Sequence, residues 1–229
     1  MPIDNSDREN QMILLKQLVA LFEKGGKLFG KPGPPRISEA YLSWVAAGVL
    51  ESAQCFIILR EAGKKHGSKA HVRPIIELVF KAVASYNDPS ALFRIAYAEW
   101  KQDRKSLRRD SNGLKVSDRQ LADLKARFAR DFPGIRLITK SITIRDLSKI
   151  ADLESSYNSV FSVYSEHTHE SLRALTGNYD DVLDRHDLRV VLSFLTKLLE
   201  TIESASGSQL DTFPELKAKI LEILTKEPV

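Results

Sequence analysis

Apolar residues recur every three or four positions along nearly the whole chain, which restricts the fold to packed α-helices. Near the N-terminus, the spacing of Leu14, Leu18 and Phe22 predicts an amphipathic helix over residues 7–24. N-cap residues and short turn-forming stretches separate each helical pattern from the next. The sequence therefore predicts an all-α fold, an irregular helical bundle of about seven to nine helices.

We expect one all-α domain over residues 1–229. Its parts are the helix 7–24, a Gly/Pro-rich linker 25–36, the bundle core 37–205 and a C-terminal helix 212–226. The long second helix is apolar on more than one face, which favours a central place in the bundle. A bundle of this size with such a helix is expected to form a homodimer.

Several helix starts inside the core carry recognisable caps. Asp88–Pro89 combines an N-cap with a first-turn proline, and Thr143 with Asp146 gives a capping box. Ser117 with Gln120 gives a similar signature, and Ser111–Asn112–Gly113 before it is predicted to be a turn. A further helix is predicted over residues 155–174.

The single cysteine excludes a disulfide scaffold and a cysteine-rich zinc module. There is no run of about 18 apolar residues and no secretory signal pattern, so we expect no membrane span and a cytoplasmic location.

Positive charge is concentrated in one segment, residues 94–130, which carries an excess of six basic residues while the rest of the chain has a net charge of −2. Such a segment can attract the phosphate backbone of RNA. The candidate RNA-binding residues are Arg104, Lys105, Arg108 and Arg109. The same charges are also compatible with the solvated outer faces of two helices.

Arg73 and Glu77 stand four residues apart at the start of a helix and therefore share one face. Their neighbours on this helix are apolar nearly all round. The pattern leaves two interpretations open: a surface salt bridge, or part of an interior network in which each charge has partners.

A second polar constellation follows the pattern Tyr157-x6-Tyr164-Ser165-x3-His169. On a helix, Ser165 and His169 lie on one stripe beside the stripe of the tyrosines. This arrangement fits a buried hydrogen-bond network, and it also fits a catalytic site, since histidine supplies acid and base chemistry near neutral pH. We expect Arg73, Glu77 and His169 to form one contact cluster.

The pair His167-x-His169 does not predict a metal site, because residues two apart on a helix point in nearly opposite directions. The chain also lacks the glycine-rich motifs of nucleotide-binding and dinucleotide-binding proteins. No metal and no cofactor are predicted.

The motifs Arg73-x3-Glu77 and Tyr157-x6-Tyr164-Ser165-x3-His169 resemble those of an uncharacterised bacterial family of helical domains. The resemblance spans roughly residues 68–171, and Phe161 stands where the family pattern has tyrosine. That family is in turn similar to the higher eukaryotes and prokaryotes nucleotide-binding group, many members of which cut RNA without a metal. The group's hallmark, arginine followed four to six residues later by histidine, occurs here only as Arg60-x5-His66, at the predicted frayed end of the second helix.

Two functional hypotheses follow. The resemblance implies a metal-independent endoribonuclease acting as a toxin or antiviral defence effector. Its catalytic residues would be His169 as acid or base, Arg73 as the cation, Glu77 as the orienting group, and Tyr164 or Ser165 as a hydrogen-bond donor to the phosphate. The alternative is a non-catalytic binding or scaffold module, such as a sensor or accessory subunit of a defence system, in which the same residues form a structural network.

Overall fold

The computed structural model describes residues 5–25, 36–107, 110–161, 164 and 181–225, and these residues form helices joined by short connections without any β-strand. The helices are α1 (Asn5–Gly25), α2 (Ile37–Glu61), α3 (Lys65–Lys69), α4 (Val72–Asn87), α5 (Pro89–Ser106), α6 (Ser111–Asp131), α7 (Ile144–Ile150), α8 (Glu154–Ser156), α9 (Asp181–Ser206) and α10 (Phe213–Thr225). A π-helical turn, Tyr157–Phe161, follows α8 directly. The predicted all-α bundle is confirmed.

α4 lies at the centre of the main core and packs against α2, α5, α7 and α9. Ile75, Ile76 and Phe80 on this helix are fully buried, which is why its sequence is apolar around most of its circumference. α1 and α10 contribute to the same core, and their bounds agree with the predicted helices 7–24 and 212–226 to within two residues.

A second, smaller core joins α5, α6 and the beginning of α2. Phe93 and Phe128 are fully buried there, with their ring centroids 5.8 Å apart. The backbone N–H of Ile37 donates to Asp131 Oδ2 over 2.8 Å, which ties the end of α6 to the start of α2. α5 and α6 thus form an antiparallel hairpin beside the main core, which we call the α5–α6 hairpin.

The predicted turn at Ser111–Asn112–Gly113 is wrong, because these residues form the first turn of α6. The carboxylate of Asp110 accepts hydrogen bonds from the backbone N–H groups of Asn112 and Gly113, each over 3.0 Å. The observed N-cap, Asp110, lies seven residues before the predicted N-cap, Ser117. The caps at Asp88 and Thr143 are confirmed.

Among the described helices, only α2 is long and apolar enough to cross a membrane by length and composition. A helix packed at the centre of a bundle meets the same criterion, and α2 packs against α4, α3 and α1. Part of its surface remains open, since Trp44 and Ile58 are 59% and 62% exposed.

Candidate functional site

Four polar side chains from distant parts of the chain meet in the interior, and we call them the Asp187 cluster. They are Arg60, Lys69, Tyr164 and Asp187, each no more than 4% exposed. The Arg60 guanidinium donates through Nη2 to Asp187 Oδ2, and the Tyr164 hydroxyl donates to Asp187 Oδ1. Lys69 Nζ lies 3.7 Å from Asp187 Oδ2. Both oxygens of one buried carboxylate therefore have donors, and two cations share its charge.

The local sequence explains why these groups are buried together. Arg60 lies in the last turn of the apolar helix α2, one turn after Phe56, and its guanidinium carbon lies 5.0 Å from the centroid of the Phe56 ring. A ring face attracts a cation, so the arginine side chain is held along its own helix. Lys69 closes the short helix α3, and Asp187 lies on α9 directly before the fully buried Leu188.

Burial governs the electrostatics of this cluster. It raises the pKa of Asp187, while the hydrogen bond from Tyr164 and the positive charges of Lys69 and Arg60 oppose that rise. Burial likewise lowers the pKa of Lys69 and of Arg60, and the Asp187 carboxylate opposes this change in both. An ion cluster of this kind is held by its internal contacts, and removal of one member leaves the others uncompensated in a medium of low polarity.

Arg73 and Glu77 lie on α4 as a partly exposed pair. Arg73 Nη2 is 3.6 Å from Glu77 Oε1, and the two side chains are 25% and 30% exposed. The Arg73 guanidinium carbon also lies 5.5 Å from the centroid of the Phe161 ring, in the π-helical turn. Of the two interpretations left open by the sequence, the geometry is nearer to a surface salt bridge packed on an aromatic ring than to a sealed interior pair.

The other candidate catalytic residues are described only in part. Tyr164 is in the Asp187 cluster, whereas Ser165 and His169 lie outside the described residues, and so does the expected contact of His169 with Glu77. The predicted continuous α-helix from residue 155 is interrupted by the π-helical turn, in which the Tyr157 and Phe161 rings stack with their centroids 5.2 Å apart.

In the described part of the chain, no group of three or more histidine, cysteine, aspartate or glutamate side chains is placed to hold a metal ion. The expectation that the protein uses neither a metal nor a cofactor stays a prediction.

The α5–α6 hairpin carries a second candidate site, a groove of about 490 Å³. We call it the hairpin groove, and it is lined by Tyr97, Trp100, Lys101, Arg104, Lys105 and Leu114. Two of the predicted RNA-binding residues, Arg104 and Lys105, are exposed along this groove, while Arg108 and Arg109 lie outside the described residues. The groove therefore combines aromatic rings with exposed cations.

Sequence reasoning missed Arg60, Lys69 and Asp187. Arg60 belongs to the end of α2 that was expected to fray, yet it is only 3% exposed. A charged residue adjoining a long apolar pattern is a signal that could have singled out Arg60 in α2 and Asp187 in α9 one by one, though not their pairing. The aromatic residues Tyr97 and Trp100, spaced among the basic residues of α5, were a similar signal for the hairpin groove.

The fold and the Asp187 cluster define an all-α bundle stabilised by a buried ion cluster. The chain belongs to the family of unknown function DUF5677, whose sequence profile matches residues 39–187. This match confirms the resemblance to an uncharacterised family of helical domains. No curated protein and no solved structure matches the chain.

Proposed function

We propose that this protein is a non-catalytic RNA-binding module that holds RNA on the α5–α6 hairpin. The observation that carries the proposal is the hairpin groove, where Lys101, Arg104 and Lys105 are exposed around two aromatic rings. Each cation that neutralises a phosphate releases counterions from the nucleic acid, and this release supplies most of the affinity that does not depend on base sequence.

The charge on the rest of the hairpin extends this surface. On α6, the basic residues Lys115, Arg119, Lys125 and Arg127 are exposed. The hairpin lies at one side of the bundle, with α6 packed mainly on α5, so an extended RNA strand can reach both helices. Steering of a polyanion toward such a surface depends on ionic strength.

We assign the Asp187 cluster a structural role in this module. A group that acts on a substrate must be reached by it, whereas every member of this cluster is almost fully buried. The cluster joins the end of α2 and α3 to α9, so its effect is to fix the positions of these helices. Burial of the cluster supports the non-catalytic hypothesis, and we propose a binding, sensor or accessory subunit of a defence system with a cytoplasmic location.

The test is RNA binding by fluorescence anisotropy at a series of salt concentrations. We expect the double variant Lys101→Gln/Lys105→Gln to bind more weakly, with the slope of log affinity against log salt reduced by about 2, since each phosphate contact contributes about 1. The matched control is Lys16→Gln/Lys149→Gln, which removes the same charge from exposed sites outside the hairpin. Equal affinities for the two double variants would contradict the proposal.

A second candidate function is a metal-independent ribonuclease like those of the higher eukaryotes and prokaryotes nucleotide-binding group. The observation that favours it is the Arg73–Glu77 pair, which is partly exposed and packs on Phe161, three residues before Tyr164. Such a cation can stabilise charge on a phosphorane, with His169 as the acid or base.

The test of this second function is incubation of the pure protein with total RNA in EDTA. RNA cleavage by the wild type that is lost in His169→Ala would establish the ribonuclease and contradict the non-catalytic proposal. Intact RNA with both proteins would leave only the binding function.

A further inference from the structure

The aromatic residues of α5 form a continuous row that leads from the small core to the surface. The Phe93 and Tyr97 rings are stacked with centroids 6.4 Å apart, and the Tyr97 and Trp100 rings follow at 5.2 Å. Phe93 is fully buried, whereas Tyr97 and Trp100 are partly exposed and line the hairpin groove. The groove thus has an aromatic wall that is backed by the core.

Contacts from the neighbouring helix hold Trp100 in place. Its indole Nε1–H donates to Asp118 Oδ1 on α6 over 3.1 Å. The Arg104 guanidinium carbon lies 5.2 Å from the centroid of the Trp100 ring, and Arg104 Nη1 is 3.5 Å from the same Asp118 oxygen. The ring orientation is therefore fixed before any ligand arrives, which reduces the entropy lost on binding.

The chemistry of this groove distinguishes two forms of RNA. A duplex presents phosphates on its outside but keeps its base faces stacked inside, so it can use only the cations. A single strand offers unpaired bases as well, and base stacking on aromatic side chains contributes to binding whatever the base sequence. Lys101 and Lys105, one helical turn apart at the groove, are placed for the phosphates on either side of a stacked base.

We infer that the hairpin groove selects single-stranded RNA and stacks one unpaired base against Tyr97 and Trp100. This inference rests on the proposed RNA binding and adds the substrate class. The cations supply affinity for any RNA, and the aromatic wall supplies the preference for a single strand.

The first experiment follows the fluorescence of Trp100. The chain has two tryptophans, so Trp44→Phe leaves Trp100 as the only one. We expect an oligo(U) strand to quench this fluorescence to saturation, because a stacked base contacts the indole ring. A duplex RNA at equal phosphate concentration is expected to leave most of the Trp100 fluorescence unquenched. Binding of oligo(U) by anisotropy without quenching would overturn the inference.

The second experiment compares variants by anisotropy with oligo(U) and with duplex RNA. Trp100→Leu is expected to weaken single-strand binding roughly tenfold or more and to change duplex binding little, since one stacked base contributes about 1–3 kcal/mol. Tyr86→Leu is the matched control, because it removes another exposed aromatic side chain, on α4, without touching the groove. Circular dichroism checks the fold of each variant. If Trp100→Leu is unfolded, the fluorescence quenching of unaltered Trp100 decides whether a base stacks there.

The outcomes distinguish a failure of the base-stacking inference from a failure of the proposed RNA binding. If the wild type binds single-stranded and duplex RNA equally and Trp100→Leu changes neither affinity, the inference of base stacking is wrong while RNA binding stands. If the wild type binds neither RNA, the proposed function itself is wrong and the inference falls with it.

Discussion

Replacing Asp187 by asparagine is the sharpest test of the buried ion cluster. The substitution keeps the shape of the side chain but removes the charge that Arg60 and Lys69 share, so two cations remain in a site that is almost closed to water. Removing one partner of a buried pair costs about 3–5 kcal/mol. A domain of ordinary stability has about 5–15 kcal/mol in total, so Asp187→Asn should lose a large part of it.

Urea unfolding followed by circular dichroism measures this loss. If the slope is about 3 kcal/mol per molar urea, the midpoint of Asp187→Asn should fall by about 1–1.7 M relative to the wild type. Glu77→Gln is the matched control, because it also converts a paired acid to its amide, in a pair that is partly exposed. We expect that change to cost less than about 1 kcal/mol.

A triple substitution distinguishes the loss of the ion cluster from the cost of leaving a buried charge unpaired. Arg60→Met and Lys69→Met with Asp187→Leu replace all three buried charges by apolar groups of similar size. We expect the triple variant to be more stable than Asp187→Asn. Equal losses of unfolding free energy in Asp187→Asn and Glu77→Gln would refute this prediction. They would mean that removing a buried carboxylate costs no more stability than removing a partly exposed one.

Three further predictions concern other parts of the fold. Gly113→Ala, which ordinarily gains about 1 kcal/mol in a helix, should give no gain here, because an added Cβ would lie 2.6 Å from Asp110 Oδ2 and 3.1 Å from Leu107 Cδ2. Urea unfolding should show Gly113→Ala to be less unfavourable in the Asp110→Ala background, where the closer contact is absent. Hydrogen bonds from Thr143 lower the pKa of Asp146, so the contribution of Asp146 to stability is present above the ordinary aspartate pKa and is lost as the pH falls through the lowered value. The unfolding midpoint should therefore drop less between about pH 6 and about pH 3 in Asp146→Asn than in the wild type. Parallel pH profiles of the two proteins would count against this prediction. The exposed Trp44 on α2 is the reason to expect the homodimer to form through this helix. Light scattering at micromolar concentration should give twice the mass of one chain for the wild type and the mass of one chain for Trp44→Asp. A monomeric wild type would disprove the dimer.

The helices could be predicted from the sequence because their signals are local. The Asp88–Pro89 start shows this, since the Asp88 carboxylate accepts the backbone N–H of Ser90 over 2.9 Å, as an N-cap followed by proline predicts. The start of α6 was missed for an equally local reason. Ser, Asn and Gly are typical of turns, but the carboxylate just before them satisfies the free N–H groups of a first helical turn.

The Asp187 cluster could not be predicted, because its members are brought together only by packing. Asp187 and Arg60 are 127 positions apart, and neither residue has a local pattern that indicates the other. The pair Arg73 and Glu77, four residues apart, was found at once, yet its exposure depends on how Phe161 packs on α4, which spacing does not show. Local periodicity thus predicts helices and the ion pairs within them, whereas the burial of a charged side chain depends on the tertiary structure.

The position of Asp187 near the beginning of α9 also has a consequence for fragments of this protein. The match to the family profile ends at residue 187, but α9 continues to Ser206, and its fully buried residues Leu188, Val191 and Leu192 follow that boundary directly. A recombinant fragment of residues 39–187 would end on the carboxylate that Arg60 requires and would lose the helix that covers α4. The matched segment therefore stops before residues of α9 that complete the main core, and an expression boundary placed at its end should give an aggregating product.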